Sequence, residues 1–458
     1  MYIDLIKHIG YQIKLLVKWF LLIVPIAVIV GSLNAFFLWL LEEATGYRMS
    51  TYAHHSWIIY LLPLAGILIV WSYKKYGKNS AGGNNLIIDE IHEPGGGVPT
   101  RMAPFVLFST VITHLFGGSA GREGTAVQIG GAIAQQFGKW YKLDEKDTKL
   151  ILISGVAAGF GSVFGTPITG AIFALEVLAI GKIKYHAVIP ALIASVVGNF
   201  VTIAWGISHE HLRLVNIAKE VNVQFNEDLH YDHIALLIGK IALAGIAFGF
   251  AGFLFGELTH KVKEVLTKVL KNQYLVPVVG AIFVIAVVKI SGTYDYIGIG
   301  TSSYLPGGVC ISSAFHAGGA KAYSWLMKLV MTAVTLGSGF KGGEVTPLFF
   351  VGATLGNTLA GVLNAPVALF AALGFIGVFS AATNTPMACT IMGVELFGSQ
   401  YLLYFAVVCF VAYYFSGHTG IYTSQRVSAP KLIGRIPKEQ GTLGQLRKEK
   451  KAFPLSNK

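Results

Sequence analysis

The sequence predicts an all-α integral membrane protein of two related halves with many tilted and broken helices, and three observations carry that prediction. Of 458 residues, 54% are hydrophobic and only 13% charged, too little polar surface to coat a soluble globule. Long runs free of charge recur along the chain, and a bilayer crossing needs about 20 mostly apolar residues. A pair of glycine-rich, charge-bearing motifs also returns in the second half at nearly one offset.

The apolar runs follow in order: Trp19 to Leu41, Trp57 to Tyr73, Met102 to Gly121, Ile151 to Leu175 and Ala187 to Ser208. After a polar stretch, Ile241 to Gly256, Tyr274 to Val288, Val345 to Val394 and Leu396 to Gln425 continue the series. The run from Val345 holds room for two or more crossings, so the total is roughly ten or more elements of spanning or near-spanning length. Much of the glycine, 54 residues in all, lies inside these runs. Non-helical backbone at membrane depth survives only where protein or a water-filled cavity satisfies its amides, so such breaks mark a site. Close helix packing through small residues is the other use of glycine, and both remain open here.

The repeat is visible when the halves are laid side by side. Gly117 to Thr125 reads G-G-S-A-G-R-E-G-T, and Gly337 to Pro347 reads G-S-G-F-K-G-G-E-V-T-P. About forty residues later come Thr166-Pro167 with Glu176 and Thr385-Pro386 with Glu395, each acid nine residues after its proline. The offset is 221 residues at Glu123 and Glu344, and 219 at Pro167 and Pro386. Many transporters are built from such repeats, often in inverted topology, with substrate held near the midplane by discontinuous helices. The expected organisation is a first membrane repeat over 1–205, a connecting loop over 206–232, a second repeat over 233–425 and a basic tail over 426–458.

The net charge of +12 collects before the first run and after the last, at Lys7, Lys14 and Lys18 and again at Arg426, Lys431, Arg435 and beyond. Positive flanks favour the cytoplasmic side, so both termini are expected there, and the charge carries no nucleic-acid meaning. Trp19 to Leu41 is too long for a signal-peptide core and lacks a small-residue cleavage site, which makes it a mature span. Cys310, Cys389 and Cys409 sit far apart among apolar residues, without metal-ligand spacing, and suit packing. The histidines show no metal pattern, and neither metal nor cofactor is expected.

Glu123 and Glu344 stand out before any comparison. An ionisable carboxylate inside a membrane segment is costly and suggests function, although Arg122 and Lys341 offer each acid a simple pairing partner. Glycines before each acid free backbone amides at a helix start, where the dipole adds partial positive charge and an anion can bind. A carboxylate there competes with that anion. Ionised, Glu123 occupies the amides; protonated, it leaves, which links anion entry to proton binding.

G-R-E-G-T-A-V-Q-I-G-G from Gly121 to Gly131 closely resembles the anion-binding helix start of the CLC family. Gly155 to Pro167, G-G-E-V-T-P from Gly342, and the tyrosine of G-H-T-G-I-Y at Tyr422 add to the resemblance, which spans roughly residues 15 to 440. It implies a CLC-type fold of two inverted-topology repeats and a homodimer with one anion pathway per subunit. It also implies Glu123 as the gating glutamate, Tyr422 as an anion-lining tyrosine, and Gly121, Arg122, Gly124, Val345 and Thr346 as the surrounding anion-binding residues.

Departures from the chloride-handling members point to one branch. The usual anion-lining serine is replaced by Asn84, the proline after the gating motif by Thr125, and the cytoplasmic-side proton glutamate by Val177. Together with Glu344, this pattern resembles the fluoride/proton branch. Fluoride is small and a strong hydrogen-bond acceptor, so a dry path must offer directional donors, and Asn84, Thr346 and Tyr422 can each supply one. Other uses stand beside these: Asn84 can cap a helix, Thr346 can bond its own backbone, and Tyr422 can anchor at an interface. Asn85 is the weaker candidate of the asparagine pair, and Glu176 and Glu395 suit structural roles at helix ends. The expectation is a plasma-membrane transporter that expels fluoride in exchange for inward-moving protons, with Glu344 completing the inner step. A chloride/proton exchanger and a passive gated channel are the rivals; a membrane hydrolase lacks any nucleophile-base pair.

Overall fold

The computed structural model describes residues 2–54, 56–208, 231–431 and 441–452. In the first half α1 (Tyr2–His54) is followed by α2 (Leu62–Ser72), α3 (Gly83–His92), α4 (Met102–Leu115), α5 (Glu123–Trp140), α6 (Glu145–Phe164), α7 (Pro167–Glu176) and α8 (Val188–Ala204). The second half runs through α9 (Tyr231–Val269), α10 (Leu275–Ser291), α11 (Ser324–Gly337), α12 (Val345–Leu363), α13 (Val367–Thr383), α14 (Pro386–Phe397) and α15 (Leu402–Phe415). A last helix, α16 (Leu443–Ala452), follows a two-residue parallel pairing of β1 (Ala179–Ile180) with β2 (Arg426–Val427). Most of the expected connection over 206–232 lies outside the described residues. Among the described residues, six helical stretches are long and apolar enough to cross a membrane, and seven shorter apolar helices accompany them.

The two halves mirror each other in packing as well as in motif. In the first, α5 packs on α6 and α6 on α8; in the second, α12 packs on α13 and α13 on α15. Each α5-type contact closes on a glycine pair: a Cβ at Gly130 would strike the Gly155 carbonyl, and one at Gly352 would strike that of Gly374. Small residues let these backbones touch, which is how helices pack when lipid removes the hydrophobic drive between them. Both uses of glycine left open by the sequence therefore occur.

Broken helices meet at the centre. Between α4 and α5, and again between α11 and α12, the chain is extended, and the two extended segments satisfy each other. Gly121 N–H donates to the Gly343 carbonyl at 2.6 Å, and Gly343 N–H returns a bond to Gly121 at 2.8 Å. Neither break leaves these amides to the lipid.

Glu176 and Glu395 tie the halves together a second time. Glu176, at the end of α7, accepts from Met387 and Ala388 N–H at 3.0 and 2.8 Å, on the first turn of α14. Glu395, on α14, accepts from Ile168 and Thr169 N–H at 3.0 and 2.8 Å, on the first turn of α7. Each acid thus caps the matching helix of the other half, where the dipole favours negative charge. The structural role read from sequence holds, with helix amides as the partners.

The stretch after Gln425 is partly folded onto the body. Leu443 packs with Ile180 and Val427, and Arg447 reaches Glu257 at 3.1 Å. The three cysteines are free and buried, in packing positions.

Candidate functional site

Glu123 opens α5 and is 1% exposed. Its carboxylate crosses to the other half and lies on the start of α12. Thr346 N–H donates to its Oε2 at 3.1 Å, and the Thr346 hydroxyl lies 2.6 and 2.7 Å from its two oxygens. Arg122 N–H donates at 3.2 Å, and the Arg122 Nε stands 3.5 Å from Oε1. The side chain thus fills an amide-and-hydroxyl seat of the kind that holds anions. Thr346 spends its hydroxyl on this carboxylate and not on its own helix, and Val345, buried beside it, supplies the first helical residue of α12.

Glycines make the seat possible. A Cβ at Gly121 would stand 3.0 Å from both Thr346 N and Glu123 Oε2, and one at Gly124 would stand 3.1 Å from Asn84 Nδ2 and 3.6 Å from Glu344 Oε2. Asn84 and Glu344 therefore flank the first turn of α5. Glu344 is the N-cap of α12. The alternative pairing with Lys341 is not made: among the described residues no ion pair joins them, and the Lys341 ammonium lies 4.5 Å over the Tyr73 ring. Lys341 also lines a cavity of about 430 Å³ shared with Lys74, Lys78 and Lys263.

Asn84 caps nothing. Gly83, at φ 58°, turns the chain into α3 in a conformation that glycine tolerates best. The Asn84 amide oxygen is buried without a hydrogen-bond partner, whereas Asn85 accepts from Ser424 N–H at 3.0 Å. Asn84 and Tyr422 share the wall of a cavity of about 10 Å³, otherwise lined by apolar side chains including Val127, Phe173 and Val177. That is room for the centre of one water-sized particle. Tyr422 is 5% exposed, so the interface-anchor alternative is set aside. Leu178 belongs both to this cavity and to a larger one of about 530 Å³ bordered by His92, Lys182, Lys184 and Arg426. Thr125, at the position of the missing proline, is buried and its hydroxyl meets that of Thr110 at 2.7 Å.

A family model described as voltage gated chloride channel matches residues 65–417. The chain belongs to the CLC family. A chloride/fluoride channel protein of Pseudomonas syringae pv. tomato is 43% identical over 95% of this chain and 91% of its own length. The H(+)/Cl(-) exchange transporter ClcA of Vibrio cholerae is 24% identical over 68% of each chain. Among solved structures, a CLC-type fluoride/proton antiporter superposes with a TM-score of 0.81 at 36% identity, covering 90% of this chain and 98% of that one. A slow cyanobacterial Cl-/H+ antiporter gives 0.72 at 18% identity, a likeness of fold alone. The architecture is thus the CLC fold, a multi-pass membrane body of two inverted repeats.

Sequence reasoning missed the apolar half of the small cavity, because Ile87, Ile88 and Phe173 look like any other residue of an apolar chain. It also passed over Arg48, His114 and Lys328, all buried. A lone basic residue within an apolar run, as at Lys328, was the available signal.

Proposed function

We propose that this CLC protein is a fluoride/proton antiporter that exports fluoride from the cytoplasm and admits protons. One observation carries the reading: the Glu123 carboxylate occupies a seat of amide and hydroxyl donors at the start of α12. The seat holds one negative charge at a time, and each charge-assisted bond in it is worth roughly 1.5–3 kcal/mol. Protonation from the outer side removes the charge that holds Glu123 there, and fluoride takes the donors. When fluoride leaves outward, the carboxyl returns only by giving up its proton. Glu344, across Gly124, is the group we assign to pass that proton inward, through the lysine-lined cavity beside Lys341, since Val177 cannot ionise.

Fluoride as the substrate is supported by the narrow cavity at Asn84 and Tyr422 and by the names of two relatives above 30% identity. The larger cavity at Lys184 and Arg426 would gather the anion by its positive charge. Gly121, Arg122, Gly124, Val345 and Thr346 form the seat. The basic flanks support cytoplasmic termini in a plasma membrane. The repeat boundaries read from sequence fit the pairing of α5 with α12 and of α7 with α14.

A homodimer is part of the reading. α8, α7, α14 and α15 pack in that order, and Ile168 and Met387, at matching places in the two halves, stand 49% and 44% exposed on it. Light scattering of the purified protein in detergent should give the mass of two subunits; a single-subunit mass removes this part. The reading as a whole is tested by fluoride-driven proton movement in liposomes.

A further inference from the structure

Three basic side chains are buried near the segment that precedes Glu123, and the mechanism above uses none of them. Arg48 is 5% exposed, and Lys328 and His114 are fully buried. Arg48 Nη1 donates to the His114 carbonyl at 2.6 Å, while the His114 ring nitrogens lie 2.8 and 2.9 Å from the carbonyls of Thr110 and Ala120. Lys328 Nζ donates to the Gly298 carbonyl at 2.7 Å and stands 5.4 Å from the Phe350 ring. The two cations meet at one glycine: a Cβ on Gly298 would strike the Arg48 guanidinium. Among the described residues no carboxylate pairs with either. Two buried basic side chains with no carboxylate partner are costly to keep charged, and a bound anion removes much of that cost.

A place for the anion exists. Arg48 and Tyr52 line a cavity of about 20 Å³, with Tyr294, Tyr304 and Gly300 on its other walls. The Arg48 Nε and the Tyr52 hydroxyl are both buried without a hydrogen-bond partner. Tyr52, 6% exposed, stacks on Tyr294 with ring centroids 4.4 Å apart, which holds its hydroxyl in place. The cavity admits one or two water-sized particles. Water could accept from the two orphan donors but would leave the cations uncompensated. Fluoride matches water in size, is a strong acceptor for such donors and supplies the charge.

We infer that the cavity between Arg48 and Tyr52 is a second small-anion site, separate from the seat at Thr346 and filled by fluoride. Its identity as a fluoride site rests on the proposed function; its existence as an anion site rests on the orphan donors and the unpaired cations. Ser119 forms an isolated bridge to Gly298, and Arg48 connects through His114 to the Ala120 carbonyl, next to Gly121. The site is therefore placed to store fluoride beside the seat that Glu123 guards.

The test is thermal unfolding of the full-length protein in detergent, titrated with potassium fluoride against potassium gluconate at constant ionic strength. Ligand binding to the folded state raises the midpoint temperature. Asn84→Ala, which removes a donor of the central path, should retain a fluoride-dependent rise. Adding Tyr52→Phe, which deletes an unpartnered hydroxyl and spares the ring stack, should move the half-saturating fluoride up by roughly tenfold, the effect of one hydrogen bond to a charged group. Equal half-saturation in the two variants would overturn the site, as would a flat response in Asn84→Ala. Failure of coupled flux in liposomes would overturn the proposed function and leave this shift standing.

Discussion

At the scale of single residues, burial and partnership separate groups that look alike in sequence. Asn84 and Asn85 are neighbours of one type, yet Asn85 is spent on Ser424 and Asn84 holds an orphan oxygen beside a cavity for one small particle. Serine at 84 would exchange two N–H donors for one O–H and widen the cavity. Asn84→Ser should lower the fluoride-over-chloride flux ratio by roughly tenfold, the weight of one lost hydrogen bond to an anion. A ratio equal to that of the parent protein removes Asn84 from the selective path. Glu123 was legible because a carboxylate in an apolar run is conspicuous. Its partner was harder to find, since the hydroxyl and amide of Thr346 come from 223 residues away. The apolar lining of the cavity was invisible because apolar residues carry no contrast in this composition. Spacing alone left open a pair between Lys341 and Glu344, and the fold decides against it by placing the ammonium over the Tyr73 ring.

At the scale of elements, the same helix-terminus physics is used in two ways. Glu123 and Glu176 are acids of the first half that meet helix starts of the second, at Thr346 and at Met387 and Ala388. Glu395 returns the second contact, to Ile168 and Thr169, and Thr169 adds its hydroxyl at 2.6 Å. In the proposed mechanism the seat at Thr346 opens and closes; the reciprocal caps have no such demand and serve as a clasp. Glu395→Gln keeps an acceptor but loses the charge, and should destabilise the protein by about 1–2 kcal/mol with coupling intact. An unfolding midpoint equal to that of the parent would show that the clasp contributes nothing. The sequence revealed that these acids repeat at one offset. It could not reveal that each acid serves the opposite repeat, because that depends on how the halves are brought together.

At the scale of the whole molecule, duplication explains why the centre can be both broken and stable. Two interrupted helices in one half would leave amides unsatisfied in lipid; two halves let Gly121 and Gly343 complete each other and leave the helix starts free for an anion. The symmetry is then broken by chemistry. Glu123 lies in the seat, while Glu344 stands across Gly124 without an ion pair among the described residues. The roles proposed for them differ accordingly, one competing with fluoride and the other passing the proton onward. The most direct test loads liposomes containing purified protein with fluoride and records fluoride efflux together with proton uptake against an imposed pH gradient. The account predicts uphill proton uptake driven by fluoride and poorly by chloride, abolished in Glu123→Gln and impaired in Glu344→Gln. Fluoride efflux with no proton movement in the parent protein, or uphill pumping that persists in Glu123→Gln, would contradict it.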